Sequence, residues 1–319
     1  MPFPDQTRVS PTDGCPAAVN SLLLQESEAG VRMQTVHGLP DLREIIRHWR
    51  QQGHSIALVP TMGNLHGGHL SLLVRARELA DRTVMSIFVN PIQFGKGEDY
   101  ERYPSTLAED SHKLSANGLD LLFAPDLAQL YPGGFDTDTR VTVPQLSDIL
   151  CGKFRPGHFS GVATVVSKLL INVQPDVALF GEKDYQQVLV IKRMAKDLCL
   201  PVNILGMPIV READGLAMSS RNAYLSPDER ARAPIIYQTL QQAAGKLRQS
   251  GVTFAQVESD GMQTLQQAGM RPEYFSVRRA QDLGEPGPED RNLLILVAVW
   301  LGRARLIDNI RVELHTSEK

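Results

Sequence analysis

The sequence predicts an α/β protein: a doubly wound parallel sheet followed by a second, smaller α+β domain. Three observations carry this. Apolar runs of strand length at 56–59, 83–89, 119–124 and 177–180 alternate with stretches of helical period, the order of βαβ units. Several of these runs end in polar, glycine-bearing turns, at the strand ends where open α/β sheets hold ligands. Near residue 209 the alternation stops, and two helical stretches lead into clustered strands. The domains expected are therefore an extension at 1–32, a doubly wound first domain at 33–208, and a smaller C-terminal lid at 209–319.

Composition narrows the class. A chain of 319 residues can bury a sizeable core. Its net charge of −3 supplies no field for nucleic acid. Three cysteines, Cys15, Cys151 and Cys199, are too few and scattered for a disulfide framework or zinc site. No run of about 18 apolar residues suggests a membrane span. The expectation is a soluble cytoplasmic protein.

In chain order, residues 1–32 are rich in Pro, Ser, Thr and Asp without sustained period and read as a disordered extension, with Met33 an alternative start. Leu42, Ile45, Ile46 and Trp49 form one helical face. The 56–59 strand stops at Pro60, a Gly-rich turn follows, and a helix runs from about His69. Strand, glycine turn and helix present backbone N–H groups to phosphate, and Gly67 and Gly68 would let a polyphosphate approach the backbone. The turn has neither the Gly-Lys-Ser/Thr ending of a P-loop nor G-x-G-x-x-G. It spells H-x-G-H, the signature of a nucleotidyl-transfer superfamily.

The strand at 83–89 delivers Asn90 and Gln93 in a polar turn. Thr106 and Glu109 read as a capping box for a helix ending near Asn117-Gly118. A third strand covers 119–124 and a short one 140–143. Arg155 and His158 lie in a Gly/Pro loop before a helix with Val162, Val165, Val166, Leu169, Leu170 and Val173 on a wide apolar face. The 177–180 strand ends in Gly181-Glu182-Lys183-Asp184, where Lys183 is set to meet a phosphate rather than decorate a surface. A further strand spans 202–210. Ser219, Ser220 and Arg221 supply two hydroxyls and a guanidinium suited to phosphate. Helices at 227–249 and 254–267 and strands at 274–278, 293–300 and 303–312 complete the chain.

Five segments resemble, in order, the pantothenate synthetase family: P-T-M-G-N-L-H-G-G-H at 60–69, F-V-N-P-I-Q-F at 88–94, R-P-G-H-F at 155–159, G-E-K-D-Y-Q-Q at 181–187 and D-G-L-A-M-S-S-R-N at 214–222. The resemblance runs from about Met33 to Leu314. It implies a Rossmann-like first domain, a cytoplasmic homodimer, and condensation of pantoate with β-alanine using ATP and Mg²⁺, through a pantoyl-adenylate. By position it implies that Met62, Gly63, Asn64, Leu65, His66, Gly67, Gly68 and His69 form the first ATP segment, His69 acting as proton donor. Gly181, Glu182, Lys183 and Asp184 form the second, with Val210 at the adenine. Met218, Ser219, Ser220 and Arg221 grip the triphosphate; His66, His69, Lys183 and Arg221 carry the catalysis. Gln93 and Gln187 hold pantoate with Asn90 beside them, and Arg155 and His158 are outer contacts. Some relatives hold Mg²⁺ near residues aligning with Glu109, Asp110 and Lys113. A protonated lysine cannot ligate a metal, so no protein ligands are assigned and phosphate oxygens and water are expected to hold it. The Met218–Arg221 loop is expected to latch only when ATP is bound. An adenylyltransferase, a class I aminoacyl-tRNA synthetase and a non-catalytic nucleotide sensor are the rival readings; the first lacks the Gln93–Gln187 pair, and the second needs a nucleic-acid surface.

Overall fold

The computed structural model describes residues 33–95, 97–134, 137–249 and 251–314; the extension expected at 1–32 lies outside the described residues. The described chain opens with a three-residue strand, β1 (Gln34–Val36), too short and polar to register as an apolar run. Helix α1 (Leu39–Gln51) buries Leu42, Ile46 and Trp49, with Ile45 packed at the edge of the same core. Strand β2 (Ile56–Thr61) continues through Pro60, where the register with β5 has already ended at Leu58 while that with β3 runs on to Thr61, whose Oγ1 donates to the Ser86 carbonyl at 2.8 Å. Then follow α2 (Gly67–Leu79), β3 (Arg82–Ile87), a 3₁₀ turn at Pro91–Gln93, α3 (Leu107–Ala116), β4 (Leu121–Phe123) and the single turn α4 (Leu127–Leu130). Two helices, α5 (Cys151–Phe154) and α6 (His158–Val173), lead to β5 (Val177–Gly181), α7 (Tyr185–Asp197) and β6 (Asn203–Met207).

All six strands are parallel, in the order β1-β4-β3-β2-β5-β6. Alternate strand side chains face opposite layers. Ile56, Leu58, Val84, Phe123 and Phe180 share a core with α1, α6 and α7; Ala57, Val59, Met85, Leu122 and Leu179 share the other with α2 and α3. Burial on both faces is why these strands read as continuous apolar runs. From β2 the chain winds outward through β3 and β4, and from β5 it winds the other way through β6. The carboxyl ends of β2 and β5 therefore border the crevice where doubly wound sheets bind ligands.

Beyond β6, helices α8 (Pro227–Arg232), α9 (Ile235–Leu247) and α10 (Phe254–Gln267) pack on an antiparallel sheet of β7 (Arg271–Arg279), β8 (Asn292–Leu301) and β9 (Ala304–Glu313). The single helix expected at 227–249 is divided at Ala233-Pro234, since proline has no N–H to continue the ladder. Strand β8 is apolar from Leu293 onward because both its faces are covered. Leu293, Ile295, Val297 and Val299 meet the C-terminal helices, while Leu294 and Leu296 meet Leu150 and Tyr185 of the first layer. Tyr185 seals that seam by donating to the Ala280 carbonyl at 2.8 Å.

Two local expectations are corrected. Residues 140–143 form no strand; Val141 donates its N–H to Thr164 Oγ1 of α6 at 3.0 Å rather than to a neighbouring strand. Thr106 makes no capping box with Glu109, because its hydroxyl instead donates to the buried Asp110 at 2.9 Å.

Candidate active site

The H-x-G-H turn is built from below by Asp110, which is fully buried. Its two carboxylate oxygens accept from the backbone N–H groups of Asn64 at 2.7 Å and Leu65 at 2.9 Å. Lys113 donates to the Leu65 carbonyl at 2.9 Å. These bonds hold Asn64 at a φ of +51°, a left-handed conformation that asparagine tolerates. Gly63 and Leu65 are buried structural parts of the turn, not cleft lining. At Gly68 a Cβ would stand 2.9 Å from the His66 ring, and at Gly67 one would stand 3.2 Å from Met218 Sδ. The glycines thus make room for the His66 ring and Met218, and Gly68 also lines the cleft.

His66 caps α2, and both imidazoles are fixed by backbone donors. Gly68 N–H donates to His66 Nδ1 at 3.1 Å, and His66 N–H to His69 Nδ1 at 3.3 Å. With Nδ1 accepting, each neutral ring carries its proton on Nε2, leaving an N–H donor for the cleft that both residues line. Burial, reinforced by Lys183, pushes His66 down to about 4; burial, with His66 and Lys183 nearby, pushes His69 down to about 3. Both are uncharged donors at neutral pH.

His158 is likewise pushed down to about 3, by burial and then by Arg155. Below pH 6.5 the unfolded chain binds protons at these positions that the folded chain refuses, so stability rises with pH across that window and is lost as pH falls. Lowering the pH of the nucleotide-free protein from 7 to 5 should cost on the order of 1–2 kcal/mol per histidine. Calorimetry should register a falling Tm, with a shallower slope in His158→Asn. A Tm unchanged over this range would contradict the neutral assignment.

At the end of β5, Gly181, Lys183 and Asp184 line the cleft. Lys183 Nζ lies 3.2 Å from the Asp184 carboxylate. Burial works to raise that carboxyl, but Lys183, with Arg221 and His158, holds it below the usual range. The turn's backbone is tied to the last strand: Asn309 Nδ2 donates to the carbonyls of Glu182 at 2.8 Å and Lys183 at 3.1 Å. The Glu182 side chain turns away to pair with Arg311 at 2.8 Å.

The third wall is the 210–221 loop. Arg211 anchors it with a bidentate bond to Asp308 at 2.7 and 2.9 Å, its guanidinium 3.6 Å from the centroid of the Tyr237 ring. Met218 N–H donates to the Val210 carbonyl at 3.0 Å, and the side chains of Val210, Met218, Ser219, Ser220 and Arg221 line the cleft. Protein contacts also seat the loop. Ser220 Oγ donates to the Asn64 carbonyl at 3.1 Å, and Arg221 grips Asp99 through Nε at 3.0 Å and Nη2 at 2.9 Å. That bidentate grip leaves the Nη1 edge for a ligand. Asp99 was not legible in the sequence, since 122 residues separate it from Arg221.

Gln93 and Gln187 lie in the same cleft, which has a volume of about 210 Å³ and an apolar wall from Val162, Val165, Val166 and Leu169 of α6. Asn90, Arg155 and His158 do not line it. Asn90 is 1% exposed and bonded to Gln93 and Gly161; Arg155 pairs with Glu98 and faces an adjoining chamber of about 430 Å³. His158 accepts from Arg155 and donates to the Gln93 carbonyl. The apolar wall was visible only as a helix face. As for a metal, Asp110 has both oxygens committed to backbone N–H groups, Glu109 is exposed and Lys113 is a cation, so these residues do not fit a metal cage. Among the described residues no group of three His, Cys, Asp or Glu could hold one, and no helix is long and apolar enough to cross a membrane.

What separates this crevice from other phosphate-binding crevices is a helix capped by histidines at the sheet's switch point, which puts the chain in the H-x-G-H nucleotidyl-transfer class. Comparison with known proteins narrows the class. Residues 34–311 match the family model for pantoate-beta-alanine ligase, and the chain belongs to that family. Similar proteins include the pantothenate synthetases of Thioalkalivibrio sulfidiphilus, 55% identical over 89% of this chain and 100% of that protein, and of Marinobacter nauticus, 51% identical over 88% and 99%. The crystal structure of pantothenate synthetase from Thermus thermophilus superposes with a TM-score of 0.81 at 44% identity, covering 87% of this chain and 99% of that one. A Francisella tularensis pantoate-beta-alanine ligase, complexed with beta-gamma ATP and beta-alanine, reaches 0.74 at 34% identity over 87% and 97%.

Proposed function

We infer that this chain condenses pantoate with β-alanine at the expense of ATP, forming pantothenate, AMP and pyrophosphate. The observation that carries the reading is the pairing of Gln93 and Gln187 with the nucleotide-facing groups in one cleft whose other wall is apolar. A hydroxy acid with a branched carbon body needs amide donors at its oxygens and aliphatic side chains at its methyl groups.

The chemistry follows from the reactivity of a carboxylate, with which an amine forms an ammonium salt rather than a covalent bond. A pantoate carboxylate oxygen attacks the α-phosphorus of ATP, forming the acyl phosphate anhydride and releasing pyrophosphate. The neutral amine of β-alanine then attacks the acyl carbon, forming the amide bond and expelling AMP, while its surplus proton passes to solvent. Both reactants of the first step are anions, so positioning and charge neutralisation dominate. In this reading the Nε2–H groups of His66 and His69, the Lys183 ammonium, the Ser219 and Ser220 hydroxyls and the free edge of Arg221 meet the phosphates. Asp184 takes the ribose and Val210 the adenine. Mg²⁺ enters with ATP, bound by phosphate oxygens and water, and supplies further charge neutralisation. Residues 209–319 act as the lid over the acyl-adenylate, and the enzyme is a cytoplasmic homodimer, which sedimentation would check.

Incubation with Mg-ATP, pantoate and β-alanine should yield pantothenate and AMP in equal amounts, and neither when pantoate is left out. AMP transfer to another acceptor without amide formation would overturn the reading in favour of an adenylyltransferase.

A further inference from the structure

Gln93 sits under a chain of buried amides whose direction is fixed at one end. Asn90 has one terminal atom 3.1 Å from the Gly161 carbonyl oxygen, which can only accept, so that atom is Nδ2. Its other terminal atom is therefore Oδ1, and Tyr131 Oη, 2.9 Å away, must donate to it. The second hydrogen of Nδ2 points to the Gln93 side chain at 3.2 Å, so the Gln93 atom there is Oε1. Gln93 Nε2 is what remains for the cleft, where it lies 2.8 Å from the weakly accepting Met62 Sδ. The contact with Gly161 exists because that residue lacks a side chain: a Cβ would stand 2.6 Å from the Ile92 carbonyl oxygen and 2.7 Å from Gln93 Cα.

The backbone of Gln93 is held separately. Its carbonyl accepts from His158 Nδ1 at 2.7 Å and Arg155 Nη2 at 3.4 Å, and Glu98 orients Arg155 from the far side through Nε at 2.7 Å. The 91–93 turn thus has no freedom to present its amide differently unless the polarity of Asn90 reverses. The Gly161 carbonyl opposes that reversal, while Tyr131, 2% exposed and just beyond α4, holds the Oδ1 end of Asn90, with Lys168 Nζ over its ring at 4.2 Å.

We propose that Tyr131 is a positioning residue that, together with the Gly161 carbonyl, holds the Asn90–Gln93 amide pair in place, so that this part of the cleft selects a ligand oxygen able to accept and discriminates against a ligand group that can only donate. The proposal rests on the reading that Gln93 holds pantoate. Replacing Tyr131 with phenylalanine leaves the ring in its packing but removes the donor, so Asn90 Oδ1 is left buried without that partner and the amide pair, anchored at the Gly161 end alone, is free to tilt.

The test is steady-state kinetics on Tyr131→Phe with pantoate, and with an analogue in which a hydroxyl is replaced by an ammonium. A lost buried hydrogen bond predicts a KM for pantoate raised about 10-fold and discrimination against the analogue reduced about as much, with KM for ATP within about twofold. Gln93→Glu, equal in size but with only accepting atoms, should weaken pantoate binding by about 100-fold or more while calorimetric ATP binding persists. An unchanged pantoate KM in Tyr131→Phe, or an equal rise in both KM values, overturns the proposal. So does normal pantoate affinity in Gln93→Glu, however Tyr131→Phe folds. Failure of the unaltered enzyme to use pantoate would instead count against the activity itself.

Discussion

His69→Ala should lower kcat by about 10²–10³-fold, the loss seen when one preorganised donor to developing charge is removed. The geometry explains why a neutral ring can carry so much. Its Nδ1 is occupied by the His66 N–H, so the remaining Nε2–H is aimed without reorganisation into the cleft that both histidines line. Its depressed pKa means that it donates a hydrogen bond without carrying charge at pH 7. Because the ring also completes the cap of α2, the variant should lose about 1 kcal/mol of stability, measured by urea unfolding. A variant with near-normal turnover would remove His69 from the mechanism.

Arg221→Ala should slow pyrophosphate exchange into ATP by about 10²-fold or more, measured with pantoate present and β-alanine absent. The first half-reaction needs no amine, so exchange isolates it. Removing the guanidinium deletes the donor edge proposed to meet the phosphates and leaves the Asp99 carboxylate uncompensated at the cleft, so repulsion would add to the lost attraction. Asp99→Asn, which keeps the arginine but loosens its orientation, should show a smaller deficit. Exchange that appeared only after β-alanine was added would contradict the adenylate route.

The parts of this molecule that were legible in its sequence are those governed by near neighbours. Buried strands gave apolar runs, the helix faces gave their period, and Lys183 declared itself by standing between a strand end and a helix start. β1 escaped because three residues, two of them polar, make no pattern. The capping box at Thr106 failed because a buried carboxylate four residues on competed for the same hydroxyl. Asp99, Tyr131 and Asn309 escaped for a different reason. Each acts on a residue far along the chain, 122, 41 and 126 or more positions away, and no local period records such a pairing. Among the named site residues, Asn90, Arg155 and His158 have the right neighbourhood but lie behind Gln93 instead of facing the cleft, a distinction of depth that sequence order does not encode.

The bond from Asn309 to the carbonyls of Glu182 and Lys183 has a consequence for biosynthesis. A ribosome adding about 5–20 residues per second needs several seconds to pass from the lysine turn to the final strand. In that interval the parallel sheet can form with its own helices, yet the turn that presents Lys183 lacks the amide that fixes its backbone. The Lys183 turn of a nascent chain can therefore gain its Asn309 bonds only once β9 has emerged and docked.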